Sequence, residues 1–265
     1  MLKSPSALTP CLPVLPPDSP FQLVVDPDKG VKAVASRMVK AGELILTEAP
    51  LFILDDDLSE PTVAAVVSAL SPDEQTVFYA LANSLPEVGP HRGRVETNAF
   101  ACEPIPAGVE LCISYGTLLK PRIQRQALLQ KKYRFVCACP ACSLPPAHSL
   151  QSDLRRCTIG HIGTALSSLK HDPVALIELA KQGLALLEAE GLAIGRSRLA
   201  HRAYRAAVVA GDREASVAWA GKFLEFNARE EGIEASEYRR VQAAVDQLER
   251  DREFRRTVAS ELPLP

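Results

Sequence analysis

The chain lacks the long apolar runs of a membrane protein. It also lacks the large positive net charge of a general nucleic-acid binder. Its 265 residues carry 30 Lys and Arg against 32 Asp and Glu, which gives a net charge of −2. A balance this close to neutral gives no broad attraction to phosphates or anionic lipids. No apolar run reaches the roughly 20 residues that a bilayer-spanning helix needs. We therefore expect no membrane association and no direct nucleic-acid partner.

A secretory signal is also missing from the amino terminus. The first 20 residues hold six prolines and no continuous apolar core, so they cannot form the helical core of a signal peptide. This composition predicts a disordered segment over residues 1–20. The sequence has no other targeting feature, so we expect an intracellular protein that is nuclear and/or cytoplasmic.

Cysteines are scarce and odd in number, with seven in the chain, yet three of them fall within six residues. The spacing Cys137-x-Cys139-x2-Cys142 suits a structural zinc ion, which is bound by soft sulfur ligands held in a tight loop. In a chain without a secretory signal, such a cluster indicates a metal site more often than disulfides. A loop of free thiols is the alternative. A tetrahedral zinc ion would need a fourth ligand from elsewhere in the chain.

The first half of the chain reads as strands with a helical insert. Residues 21–54 contain short β-rich runs, and Glu110–Tyr115 is predicted as a further strand. Between them, Ser71-Pro72-Asp73-Glu74 is a capping box with proline at the first helical position, which predicts a helix start. Pro121 predicts the start of another helix, which runs to about Gln130, just ahead of the cysteine cluster.

From residue 172 onward the composition changes to alanine, leucine, glutamate and arginine. Asp172-Pro173 predicts a helix start, a second helix follows over about Arg196–Ala210, and Gly211-Asp212 should end that helix and cap a third. A fourth helix is predicted through Tyr238. Paired helices with large apolar residues and alanines are typical of a TPR-like helical array. We predict a linker over 143–171, a helical domain over 172–256 and a tail over 257–265.

Two motifs together resemble the end of a SET domain and its post-SET zinc loop. They are Glu110-Leu-Cys-Ile-Ser-Tyr115 and, after a helix, Tyr133-Arg-Phe135-Val-Cys137-Ala-Cys139-Pro-Ala-Cys142. The strands from Gly30 to Leu51, the helical insert over 61–85 and the Thr97–Phe100 step are similar to the fungal and SMYD-type branch of that family. The helices after residue 172 resemble the domain that follows SET in those proteins. The SET-like domain would span 21–142, with its zinc loop at 133–142.

The resemblance implies a protein-lysine methyltransferase that uses S-adenosylmethionine. Tyr115 matches the tyrosine whose hydroxyl points at the reacting methyl group and amine. Gly30, Asn98 and Phe135 match positions beside the cofactor. The cofactor brings the reactive group, so the protein mainly has to align and desolvate the reactants. A strand-end tyrosine that only packs its ring is the alternative for Tyr115, and a plain core residue is the alternative for Phe135.

The chain departs from the family pattern in two places. The opening Gly-x-Gly reads Asp28-Lys29-Gly30, which adds a side chain and a negative charge. More importantly, the Asn-His-Ser-Cys-x-Pro-Asn segment expected between Phe100 and the Pro106-Ala-Gly108 turn is missing. In the family that segment supplies cofactor contacts and the fourth zinc ligand. Here Cys102, at the junction, is the first candidate for that ligand; Cys112, Cys157, His148 and His161 are the others.

These observations predict an α+β protein: a SET-like β-rich domain, shortened internally, followed by an all-α TPR-like helical domain. The first functional hypothesis is a SET-type methyltransferase acting on a protein lysine, with S-adenosylmethionine and Zn²⁺ as cofactors. The alternative is a catalytically inactive, SET-derived module that binds a peptide or protein partner through its helices. The abrupt junction at Phe100–Ala101 is also what a skipped exon would leave, and another product of the gene would then keep the missing motif.

Overall fold

The computed structural model describes residues 15–27, 30–48, 60–75, 97–168 and 172–261. Its four strands form two antiparallel pairs. They are β1 (Phe21–Asp26), β2 (Gly30–Ala35), β3 (Leu44–Glu48) and β4 (Thr97–Phe100). β1 pairs with β2 from Phe21 opposite Ala35 to Asp26 opposite Gly30. β3 pairs with β4, with an irregularity in register between Leu44 and Leu46.

The segment after β4 ties the strand pairs together. Isolated bridges join Val39 to Ile105 and Val34 to Glu110. The N–H of Leu111 also donates to the carbonyl of Ala33, at 2.8 Å. A small core forms where these pieces meet. Its buried members are Ala35, Val39 and Ala101, with Ile45, Ile105 and Leu111 packed against them.

The described part of the chain contains seven helices of eight residues or more. They are α1 (Glu60–Ala69), α2 (Arg122–Tyr133), α3 (Pro146–Ser168), α4 (Pro173–Ala189), α5 (Arg196–Val209), α6 (Arg213–Glu230) and α7 (Ser236–Glu261). From α3 onward each helix packs against the next. Within the described residues, none of the helices combines the length and the hydropathy needed to cross a bilayer.

Two apolar clusters form the core of the helical region. One places Trp219 and Phe223 of α6 against buried alanines and Val241; the alanines are Ala180, Ala200, Ala203, Ala207 and Ala220. Alanines on facing helices let the backbones approach closely around the two aromatic rings. The second cluster joins Ile159, Ile162 and Leu166 of α3 to Leu187 and Leu199.

Two glycines mark close contacts between the strand region and the helices. At Gly42, an added Cβ would lie 3.3 Å from the carbonyl oxygen of Ala228. At Gly232, an added Cβ would lie 2.7 Å from the ring of Phe100. Both glycines have positive φ, 80° and 85° respectively. A side chain at either position would strain the backbone, and at Gly232 it would also clash with the ring of Phe100.

Most predicted helix starts are confirmed. The Asp172 and Asp212 carboxylates accept hydrogen bonds from the N–H groups of Ala175 and Ala215, at 3.0 and 2.9 Å. Both limbs of the capping box form: Ser71 N–H donates to Glu74, and Glu74 N–H donates to Ser71 Oγ. The predicted insert over 61–85 holds α1 and a helical turn at 72–75, and its later residues lie outside the described part of the chain.

The predicted strand Glu110–Tyr115 is wrong beyond its first residues. A single bridge at Glu110 and the hydrogen bond of Leu111 are followed by irregular chain through Tyr115. The sequence alternates as a strand does, but a strand forms only where a neighbouring strand continues to pair with it. β2 is already paired with β1, and its ladder with this segment ends here.

Three predicted boundaries also differ. The expected linker over 143–171 contains α3, which packs against α4. The end of the expected disordered segment is held in place, because the Ser36 hydroxyl donates to the carbonyl of Ser19 at 2.7 Å. At the other terminus, α7 continues to Glu261, into the predicted tail.

Candidate functional site

The cysteine cluster folds into a compact group of three sulfur atoms. The sulfurs of Cys137, Cys139 and Cys142 all lie within 4.8 Å of one another. A tight turn brings them together, with the N–H of Cys142 donating to the carbonyl of Cys139 at 2.9 Å. Tetrahedral zinc with Zn–S distances of about 2.3 Å holds its sulfurs roughly 3.8 Å apart. The group can therefore supply three of the four ligands of such an ion.

Helix α2 fixes the two ends of this loop with adjacent side chains. At the start of the loop, the Gln126 amide donates to the carbonyl of Cys137 at 2.7 Å and accepts from its N–H at 2.9 Å. At the end of the loop, the Arg125 guanidinium donates to the carbonyl of Ala141 at 3.3 Å and lies 3.8 Å from the sulfur of Cys142. The helix therefore sets the spacing of the thiols.

The thiols within this group ionise unequally. Burial raises the pKa of Cys137 to about 11, and its neighbouring cysteines add to the rise. Burial also opposes ionisation of Cys139, but the N–H of Cys142 and the thiols on either side outweigh it and lower the pKa of Cys139. A thiol whose thiolate accepts several hydrogen bonds is the first that a metal ion can capture.

Three aromatic rings gather directly beside the cysteine loop. The ring centroid of Tyr115 lies 4.6 Å from that of Tyr133 and 5.5 Å from that of Phe135. Arg134, at φ 61°, ends α2 in a left-handed conformation between the two later rings. The Tyr115 side chain remains accessible, with 43% of the residue surface exposed. Such a cluster offers an apolar wall with two hydroxyl groups.

Tyr133 belongs to the ring cluster but was not among the predicted site residues. Its position in the sequence could have indicated a role, because it is the last residue of the helix that Pro121 begins and stands two residues before Phe135. Ring contacts between residues 115 and 133 depend on how α2 folds back, and local pattern does not specify that.

The other predicted cofactor residues fall in the strand region. Gly30 opens β2 at the β1–β2 turn with φ 81°, and among the described residues no atom lies within 4 Å of the place where a Cβ would stand. The turn itself accounts for a glycine there. Asn98 lies in β4 opposite Thr47. Its side chain, like Asp28 and Lys29, falls outside what the structure describes.

Cys102 is not brought to the cysteine group. It lines a cavity of about 80 Å³ between the strand region and the helices, beside Glu103, Arg196 and Glu230. Burial raises the pKa of Cys102, and the carboxylates of Glu230 and Glu103 raise it further. The chain after β4 turns toward α6, so this thiol faces the helices. Among the described residues, the other candidates for a fourth ligand, Cys112, Cys157, His148 and His161, also lie outside the group.

Comparison with known proteins gives one distant likeness. No protein-family model matches the chain. The chain is 23% identical over 269 residues to the histone-lysine N-methyltransferase set5 of Schizosaccharomyces pombe, in an alignment that covers 85% of this chain and 83% of that protein. This likeness runs across both the strand region and the helices. It supports the SET resemblance, and with it methyltransferase-like chemistry, at the level of the family.

The length of that alignment also bears on the internal shortening. Because 85% of 265 residues is about 225, an alignment of 269 positions leaves about 44 positions at which this chain has a gap. The yeast protein therefore carries extra residues within the aligned region. The extra length is enough to hold a segment such as the one missing between Phe100 and Pro106.

Proposed function

We propose that this chain is a SET-type protein-lysine methyltransferase that uses S-adenosylmethionine, with Tyr115 at the reacting centre. The observation that carries the proposal is the cluster of Tyr115, Tyr133 and Phe135 beside a zinc-competent cysteine loop. The two motifs are separated by a helix in the sequence and meet in the fold. Their meeting places Tyr115 and Phe135, the two aromatic residues that the SET resemblance assigns to the site, side by side.

The aromatic cluster provides the chemistry that lysine methylation needs from a protein. Bound S-adenosylmethionine would supply an activated methyl group. A lysine amine attacks only when it is neutral, and apolar walls disfavour its charged form. The rings of Tyr133 and Phe135 exclude water from the side chain, and the Tyr115 hydroxyl orients the amine Nζ by a hydrogen bond. Catalysis then rests on alignment and desolvation.

The zinc loop serves as a structural support for this site. Cys137, Cys139 and Cys142 would hold the ion, which fixes the chain that follows Phe135. α2 reaches both places, because its Gln126 holds the loop and its last residue is Tyr133. Metal binding thereby stabilises the positions of the Tyr133 and Phe135 rings.

The internal shortening predicts weak cofactor binding. The asparagine and histidine that the family uses are missing, and Gly30, Asn98 and Phe135 remain as predicted contacts. We expect the substrate to be a lysine of a nuclear and/or cytoplasmic protein. Because the yeast relative is named for histone lysine, histones are the first substrates to try.

Isothermal titration of the full chain with S-adenosylmethionine tests the proposal directly. We expect measurable heat with weak affinity, and methyl transfer to a histone mixture detected as a mass increase on lysine. Tyr115→Phe should keep the heat and lower the transfer rate by about 10²-fold or more, because it removes one positioned hydroxyl from the reacting centre. The matched control is Tyr238→Phe on α7, outside the cluster.

Absence of heat at millimolar S-adenosylmethionine would contradict the proposal. The remaining hypothesis would then be the inactive module that binds a peptide or protein partner through its helices.

A further inference from the structure

We propose that Arg125 belongs to the metal site, where its guanidinium donates to the Cys142 thiolate and offsets the negative charge of the sulfur ligands. The inference rests on the zinc site that forms part of the proposed function, and goes beyond it by adding a cation to the three cysteines. Arg125 is therefore a positioning residue that sets the affinity for the ion.

The first argument is the burial of the guanidinium. Arg125 is 4% exposed, although it lies on a helix whose neighbouring residues Ile123 and Gln124 are exposed. Moving a cation out of water is costly unless anions and hydrogen-bond acceptors surround it. Two carbonyl oxygens, those of Lys120 at 2.7 Å and Ala141 at 3.3 Å, accept its N–H groups. These satisfy hydrogen bonds but leave the charge to be balanced.

The second argument is the weakness of its ion pair. The Asp153 carboxylate lies 3.5 Å away, at the long end of hydrogen-bonding distance. The same carboxylate oxygen accepts the N–H of Arg122 at 2.7 Å, and the side chain is 20% exposed. The shortest hydrogen bond of Asp153 is therefore the one to the backbone at the start of α2. Asp153 therefore leaves room for a second anion close to Arg125.

The sulfur of Cys142 is placed to be that anion. It lies 3.8 Å from the guanidinium Nη2, and Cys142 is 3% exposed. Zinc with three thiolates carries one net negative charge, and a neighbouring cation offsets it in a site where water is scarce. A hydrogen bond to a metal-bound ligand also tunes the metal and is commonly worth about 10- to 100-fold in affinity.

Zinc affinity of the full chain, measured by competition with a chromophoric chelator, tests this inference. Arg125→Met should weaken zinc binding by about 10- to 100-fold. Arg125→Lys keeps the charge and should lose less. The matched control is Lys131→Met, which removes a cation from the exposed side of the same helix and should stay within about twofold, because an exposed charge is screened. Circular dichroism of each metal-free variant checks that the fold is kept.

Cobalt substitution separates a direct electrostatic role from a merely structural one. A guanidinium that stabilises the thiolate lone pair raises the energy of the sulfur-to-cobalt charge-transfer band. Arg125→Met should therefore move that band to longer wavelength, whereas Gln126→Ala should lower affinity without moving it. Unchanged affinity in Arg125→Met, or lower affinity with an unmoved band, would overturn the inference while leaving the zinc site intact. No cobalt band in the wild-type chain would overturn the zinc site and this inference together, whereas failure of methyl transfer alone would leave both standing.

Discussion

At the scale of single residues, Glu190 shows how this protein holds a buried charge. Its carboxylate side chain is 3% exposed and lies 2.6 Å from Arg155 Nε and 2.7 Å from Arg156 Nε. The Ser152 hydroxyl donates to it at 2.7 Å, and Arg156 also donates to the carbonyl of Leu118. One carboxylate therefore links α3, the end of α4 and the segment that leads into α2.

Glu190→Gln should destabilise the protein by about 3 kcal/mol at neutral pH, because two arginines would lose their shared anion. Burial works against ionisation of Glu190, but Ser152, Arg155 and Arg156 outweigh it and lower its pKa below the ordinary 4.5. Stabilisation by a carboxylate of lowered pKa is present above its unfolded value and is lost as pH falls through its folded value. The wild-type advantage should therefore shrink below about pH 4.5.

Urea unfolding at several pH values from neutral down to about 3 measures this difference. The control is Glu188→Gln, an exposed carboxylate near the end of the same helix. Equal stability of Glu190→Gln and wild type at neutral pH would show that the buried cluster contributes nothing.

At the scale of elements, the sequence predicted the features that depend only on residues close together in the chain. Asp172, Asp212 and the Ser71–Glu74 box were read correctly because a cap involves residues only three positions apart. The strand predicted after Glu110 does not form, because strand pairing depends on a neighbour that is distant in the sequence. The same limit applies to Cys102, whose thiol was assigned from its place in the sequence and faces α6 in the fold.

Helix α3 was missed for a different physical reason. Its buried positions recur at helical spacing, but half of them are polar. They are Ser149, Ser152, Arg156, Ile159, Ile162 and Leu166. An amphipathic pattern is recognised by apolar residues on one face. Here Ser152 and Arg156 bond to Glu190, which lies 38 and 34 residues later in the chain, and a local pattern cannot show such a partner.

Gly232→Ala should be more destabilising than an ordinary glycine replacement. Both Gly232 and Gly211 end helices with positive φ, at 85° and 70°, and an alanine in that conformation costs about 1 kcal/mol. Only at Gly232 would the new Cβ meet another side chain, 2.7 Å from the Phe100 ring. We expect Gly232→Ala to lose roughly 1–3 kcal/mol more than Gly211→Ala, since overpacking adds to strain.

Thermal or urea unfolding of the two glycine variants gives the comparison. The added variant Phe100→Leu should recover part of the loss in Gly232→Ala by making space. Equal losses of stability in the two alanine variants would mean that the contact between Phe100 and Gly232 can relax without cost.

At the scale of the whole molecule, the closeness of the three cysteines was easier to predict than the packing around them. Cys137, Cys139 and Cys142 lie close in sequence, so their meeting needed only a turn. The contacts of Tyr115 with Tyr133 and Phe135 were not predicted, because they depend on how α2 folds back. What the sequence could not provide was the packing of α2 onto the loop through Arg125 and Gln126, since those side chains act only when the helix is in place.

A chain shortened to end at residue 171 should fail to fold cooperatively. It would uncover the apolar face of α3 and remove Glu190, which leaves Arg155 and Arg156 without their anion. Phe100 would lose its contact at Gly232. The expected result is a broad thermal transition and aggregation, with the full-length chain as control. A sharp transition in the shortened chain would show that the strand region stands alone.

The single tryptophan of the chain lies in the helical core, where Trp219 is 7% exposed and packs with Phe223. The three described rings beside the cysteine loop are those of Tyr115, Tyr133 and Phe135. Selective excitation of indole fluorescence therefore reports the state of the helices alone. Absorbance of the cobalt–thiolate chromophore would report the cysteine loop. Tryptophan fluorescence and cobalt absorbance, followed in one unlabelled sample, would therefore show whether the helical core or the cysteine loop unfolds first.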